Sequence, residues 1–111
     1  MQGGNNVLLM NLTPVMAKKI LTDIVVNHSE RVFISGHAEE KMIARGITRR
    51  QVHCCIKNGS FKDAPYRSTK GNWQMRLEVL SSGDLVNAVV ALDHDGDGNY
   101  ILVVTAYCNN N

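Results

Sequence analysis

The stretch WQMRLEV, residues 73–79, decides the architecture. Trp73, Met75, Leu77 and Val79 alternate with Gln74, Arg76 and Glu78. A period of two belongs to a half-buried strand, apolar toward a core and polar toward water. Downstream, Ser81-Ser82-Gly83-Asp84 reads as a turn, and the nearly all-apolar run at residues 85–92 reads as a central strand. A second turn at 93–99 leads to YILVVTAY, residues 100–107, another central strand. Short turns between strands predict an antiparallel meander, with one more strand near residues 61–66.

Upstream of Phe61 the spacing is helical. Thr13-Pro14 opens a helix, since threonine caps free N–H groups and proline suits the first helical position. Val15, Met16, Ile20, Ile24 and Val25 recur at helical intervals, and the helix is expected to end near Asn27. RVFIS at residues 31–35 is a short strand candidate. A second helix is expected over 37–45, with Ser35 or Gly36 near its N-cap, stopped by Gly46, because glycine tolerates the left-handed conformation just past a helix end. Thr48 answered by Gln51 matches a capping box and predicts a third helix to about Lys57. The order predicts an α+β fold: N-terminal helices packed on a curved antiparallel sheet of three to five strands. A flexible N-terminus is expected over 1–12, a single α+β domain over 13–107, and a tail over 108–111.

The chain has 111 residues, 44% apolar and 20% charged. A domain of this size hides roughly two-thirds of the surface its unfolded chain exposes, enough for a core without metal or disulfide staples. No apolar run approaches the roughly 18 residues of a membrane span, and no membrane partner is expected. The opening MQGGNNVLLMNL lacks a basic n-region and does not read as a signal peptide. Cys54, Cys55 and Cys108 are an odd set with two adjacent, a poor disulfide framework, so a reducing, cytoplasmic setting is expected.

Net charge is only +2, but residues 41–76 hold nine basic side chains against one acid, Asp63, a local excess of +8. The remainder carries three basic and nine acidic residues, or −6. Such asymmetry points to a polyanion, with nucleic acid first; a solvated helix pair with a basic loop is the plain alternative.

Two motifs invite metal and decline it. Asp93-His94-Asp95-Gly96-Asp97-Gly98 resembles the front of an EF-hand loop, yet the twelfth position, where that loop needs a bidentate glutamate, is Val104. Strands flank it where an EF-hand has helices, so a hairpin turn is expected. His53-Cys54-Cys55 lacks zinc-ligand spacing. No metal and no cofactor is expected.

HAEEKMIARG, residues 37–46, is the stretch that points to chemistry. His37, Lys41 and Arg45 recur every four residues and follow a drifting line on one helix face. His37 falls in the first turn, where free N–H groups and the dipole favour an anion, and imidazole titrates near neutrality. A phosphate held by Lys41 or Arg45 would lie beside a general base, an arrangement able to cleave RNA without metal. On spacing alone the plainer reading is favoured: His37 caps the helix while Lys41 and Arg45 are surface charges.

HAEEKMIARGITRRQV resembles the opening motif H-A-x-x-[RK]-M-x-x-R-G-I-[ST]-x-x-x-V of domain-of-unknown-function family 4258. The resemblance continues through the strand at 72–79 to VVTAY at 103–107, and so spans residues 31–107. It implies a place among the RelE, barnase, EndoU and colicin-type ribonucleases, bacterial toxins and phage-encoded proteins included. The catalytic residues it implies are His37, Arg45, Arg76 and Tyr107. Lys41 stands where arginine is frequent, keeping the charge but losing the bidentate fork. Thr105 and Tyr107 share one face of their strand, and Arg76 lies on the polar face of its own; Tyr107 reads equally as an edge aromatic, and Arg76 as the partner of a cross-strand acid. Lys41, Arg49, Arg50, Tyr66, Arg67 and Thr105 are expected to bind substrate, with Tyr66 as an exposed base-stacker and Trp73 in the core.

The function expected is therefore a metal-independent endoribonuclease of bacterial toxin type. RNA, free or on a ribosome, would be its substrate, and an antitoxin or immunity protein its partner. An exposed strand edge leaves a homodimer open. The rival is a non-catalytic nucleic-acid- or protein-binding module, such as a phage or toxin–antitoxin accessory protein.

Overall fold

The computed structural model describes residues 6–109. Three helices precede most of the sheet: α1 (Pro14–Asn27), α2 (Gly36–Arg45) and α3 (Arg49–Asn58). The strands are β1 (Val32–Ile34), β2 (Ser60–Arg67), β3 (Trp73–Ser81), β4 (Asp84–Asp95) and β5 (Gly98–Asn109). They form one sheet in the order β1-β5-β4-β3-β2. The expected α+β architecture, helices packed on a sheet, is the one observed.

The helix boundaries follow local chemistry. Thr13 Oγ1 accepts from the Met16 amide, and Pro14 occupies the first position of α1. Ser35 caps α2, and Gly46 closes it in the left-handed conformation at φ 68°. Thr48 and Gln51 satisfy each other's backbone N–H groups, the capping box read from the sequence. Between β3 and β4 the two turn residues, Ser82 and Gly83, both have positive φ, the two-residue hairpin turn whose twist matches that of the strands.

The sheet is mixed, which corrects the purely antiparallel meander. β2, β3, β4 and β5 do form that meander, but β1 pairs parallel to β5 through Val32–Ile101, Phe33–Leu102 and Ile34–Val103. Three residues ahead of a helix carry no signal of partner or direction. β5 is thereby an interior strand, built last in the chain between the first strand and the fourth.

One apolar core lies on the helix side. Ala17, Leu21 and Ile24 of α1, Ala38 and Met42 of α2, and Val52, Cys55 and Ile56 of α3 meet Met75, Leu77, Val86, Ala88, Val90, Leu92, Ile101, Val103 and Ala106 of the sheet. Trp73 belongs to the core, as expected, and its indole N–H donates to the Val7 carbonyl at 2.8 Å. Cys55 is fully buried, with its thiol against the Leu77 and Val86 carbonyls, and burial pushes its pKa up to about 12. It is a small core hydrophobe.

The first residues are ordered where described, against the expectation of a loose segment. Val7–Leu9 form a short 3-10 turn, and Val7 and Leu12 are buried. Arg67 clasps this segment, donating to the Leu8 and Met10 carbonyls at 2.6 and 3.3 Å while stacking over the Trp73 ring. Residues 1–5 lie outside the described residues. So do 110 and 111, while Cys108 and Asn109 complete β5 and form no tail. Among the described residues no helix is long and apolar enough to cross a membrane.

Candidate functional site

The face of the sheet turned away from the core is polar at its centre. Arg76 and Glu78 of β3, Asn87 of β4, and Thr105 and Tyr107 of β5 stand there together. A bulge puts the last two in place. Val89 pairs with Thr105 and Val90 with Val103, so Val104 has no pairing partner on β4 and the alternation of β5 shifts by one residue. Ile101 and Val103 point into the core before the bulge, and Ala106 does after it. Without that extra residue Thr105 and Tyr107 would face the core, because side chains alternate strictly along a regular strand.

Arg76 is the hub. Its Nη1 donates to the Tyr107 hydroxyl at 3.0 Å and to Asn87 Oδ1 at 2.9 Å. Its Nε donates to Asp63 Oδ2 of β2 at 3.0 Å. The hydrogen bond it donates to Asp63, then the one it donates to Tyr107, holds the guanidinium even more firmly protonated than usual. Asn87 is fully buried, an uncommon state for a strand asparagine, and both ends of its amide are used. Oδ1 accepts from Arg76, and Nδ2 donates to Glu78 Oε2 at 3.1 Å. Asn109 Nδ2 adds a 3.4 Å bond to the same oxygen, and Lys62 lies 3.4 Å from Oε1. These donors, Asn87 first, hold the Glu78 carboxyl below the usual carboxylate range.

α2 begins at the rim of this face. The Ser35 amide donates to the Val103 carbonyl, and its hydroxyl donates to the Val104 carbonyl at 3.0 Å while accepting from the Ala38 amide. The helix start is thus pinned to β5 at the bulge, one residue before Thr105. Ala38 and Met42 face the core. On a helical wheel His37, Lys41 and Arg45 fall to one side of that stripe, and Glu39 to the other. Glu39 shares a hollow with Val32, Met42 and Arg49, so the cationic flank is turned away from α3. His37, Lys41 and Arg45 are exposed, with no hydrogen bond or ion pair among the described residues. Arg45 lies near enough to the end of β5 for its charge to act on the Cys108 thiol, which burial otherwise raises.

The expected site residues therefore divide. Arg76 and Tyr107 are joined directly, and Thr105 shares their face. His37, Lys41 and Arg45 form a separate row on the adjoining helix, and no hydrogen bond links them to Arg76. Arg50 is exposed. Tyr66 is half-exposed, and its hydroxyl donates to Gln74 at 3.3 Å. Two of the expected substrate binders have structural partners instead. Arg49 donates to the Val32 carbonyl at 2.8 Å and ties α3 to β1. Arg67 is committed to the carbonyls of Leu8, Met10 and Gly71. The turn aspartates also have partners: Asp95 pairs with Arg31 at 2.6 Å, and Asp93 accepts from Asn72.

Three site residues escaped the sequence reading: Asp63, Glu78 and Asn87. Each carries a signal in hindsight. Asp63 is the lone acid in the basic segment, Asn87 is the lone amide in an apolar run, and Glu78 follows Arg76 by two on the polar side of its strand.

The family model described as domain of unknown function (DUF4258) matches residues 34–108. The chain belongs to this family. The match runs from the end of β1 into β5, and so includes α2 and every residue of the open-face cluster. Comparison with curated proteins and with solved structures finds no match.

Proposed function

We propose that this member of the family is a metal-independent endoribonuclease of toxin type, related to the RelE and barnase-like nucleases, and that its site is the open sheet face. One observation carries the reading: a bulge turns Tyr107 out of the core and onto the guanidinium of Arg76, on the same strand whose Val104 carbonyl pins the start of the helix bearing His37. Arginine and tyrosine hydroxyls are natural ligands of a phosphodiester. In the reaction inferred, the His37 ring takes the proton of a 2′-hydroxyl. The freed 2′-oxygen bonds to phosphorus, and the bond from phosphorus to the 5′-oxygen breaks. The leaving oxygen takes its proton from the Tyr107 hydroxyl, and solvent water then carries the proton held on His37 back to the Tyr107 oxygen. Arg76, with Lys41 and Arg45 along the rim, offsets the charge that builds on the phosphorane. Bacterial cytoplasmic RNA fits as substrate, and a neutralising antitoxin or immunity protein as partner.

The test is induced expression in a bacterial host together with cleavage of labelled RNA by the purified chain in the presence of a chelator. Wild type should arrest growth and cut RNA, and His37→Ala should lose about 100-fold or more of the cutting rate. Equal activity in the two proteins would end the nuclease reading.

A second reading is a non-catalytic module that binds nucleic acid or protein. The closed ion pair between Arg76 and Asp63 favours it, since a guanidinium already paired is poorly placed for chemistry.

A further inference from the structure

We propose that Asp63 is an internal competitor for the anion-binding edge of Arg76, and that a phosphate ligand enters the site by displacing this carboxylate. The inference rests on the reading of the open face as an RNA site and adds what holds that site closed.

The two acids beside Arg76 are held very differently. Glu78 is gripped by Asn87, Asn109 and Lys62 and is largely covered. Asp63 has only Arg76 among the described residues, and its side chain is 57% exposed. Its strand is also the looser one. β2 is an edge strand carrying Pro65, and its register slips on both sides of Asp63, between 61 and 63 and again between 63 and 66. A carboxylate on such a strand can swing into water at the cost of one exposed ion pair, an interaction of modest strength.

Charge gives the same answer. Arg76 and Lys62 are balanced by Asp63 and Glu78, so the closed cluster is neutral and has little pull on a single anion. Once Asp63 leaves, Nε of Arg76 is free beside Nη2, which has no hydrogen bond among the described residues, and these two donors form the fork that suits a phosphate. The compensating attraction must come from elsewhere, and the unpaired Lys41 and Arg45 on α2 supply it. The ligand that fits is therefore a chain of phosphates spanning rim and sheet: single-stranded RNA in preference to an isolated phosphate.

The experiment measures affinity for a fluorescent single-stranded RNA whose 2′-hydroxyls are methylated, so that binding is read without cleavage. Wild type, Asp63→Asn, Asp63→Ala, Arg76→Ala and the double variant Asp63→Asn/Arg76→Ala are compared, with thermal unfolding to show that each is folded. Both Asp63 variants should bind about threefold to tenfold more tightly than wild type, the scale of an exposed ion pair plus a removed repulsion. The gain should vanish in the double variant. Unchanged or weaker binding by both Asp63 variants, with Arg76→Ala still impaired, overturns the competitor role and leaves the site standing. No loss in Arg76→Ala, or no binding by wild type and the Asp63 variants alike, overturns both.

Discussion

Arg76 on β3 reaches across the whole of β4 to the Tyr107 hydroxyl on β5, a contact of 3.0 Å between strands that are not neighbours. The guanidinium lies over Asn87 on its way and uses that residue's carbonyl oxygen as a second anchor. With Asp63 of β2, four strands are thus tied by one side chain, on the face that carries no helix among the described residues.

Tyr107→Phe keeps the ring and removes the hydroxyl that Arg76 bonds. One partly exposed hydrogen bond contributes about 1 kcal/mol, so urea unfolding should show a loss of that size or less. RNA cutting should fall far more, by about tenfold or greater, because the lost group would touch the leaving oxygen. Parallel small losses in stability and activity would make Tyr107 a packing residue.

Acid behaviour follows from Glu78 and Asp95, both held below the usual carboxylate range: Glu78 by Asn87 foremost, Asp95 by Arg31 foremost. Each binds protons less readily folded than unfolded. The stability they contribute is therefore fully present above their ordinary values, about pH 4. It drains away as pH falls through the lower folded values. Carboxyl NMR should place the Glu78 midpoint under that of a free glutamate, and Asn87→Ala should move it upward. A midpoint indifferent to Asn87 would show that Lys62 and Asn109 suffice.

Gly59 joins α3 to β2 where no side chain fits. A Cβ there would lie within 3 Å of two backbone oxygens, those of Cys55 and Glu78. The Gly59 carbonyl also accepts, with that of Ile56, from the Lys18 ammonium. Gly59→Ala should cost about 1–3 kcal/mol, the scale of overpacking, with the helix end and the Glu78 segment displaced together. Chemical denaturation measures the cost, and amide shifts at residues 55 and 78 locate it. A variant as stable as wild type would mean that the junction has slack.

What was legible in the sequence was whatever local chemistry specifies. Thr13-Pro14, Ser35, Gly46 and the Thr48/Gln51 box each cap a helix by contacts within a few residues, and all three helices appear where those residues put them. The strand at 73–79 announced itself by alternation, and the two after it by apolar runs bounded by turns. What could not be read depends on distant partners. β1 gives no hint that it joins β5, and an apolar run such as Leu102-Val103-Val104 gives no sign of which residue is the extra one in a bulge. Among candidate residues, type alone could not separate an arginine holding a carbonyl, as Arg49 and Arg67 do, from one facing an open surface, as Arg76 does. Asp63 was counted only as a lone negative charge, although its pairing with Arg76 matters more than the segment's net balance.

The place of β5 between β1 and β4 has a consequence during synthesis on the ribosome. β1 emerges early and must wait, unpaired, until the closing hairpin is made. Tyr107, the bulge and the anchor for Ser35 all arrive with that same strand. A nascent chain lacking β5 has no partner for β1 and no Tyr107 for Arg76, so the open-face cluster is completed only once β5 clears the exit tunnel.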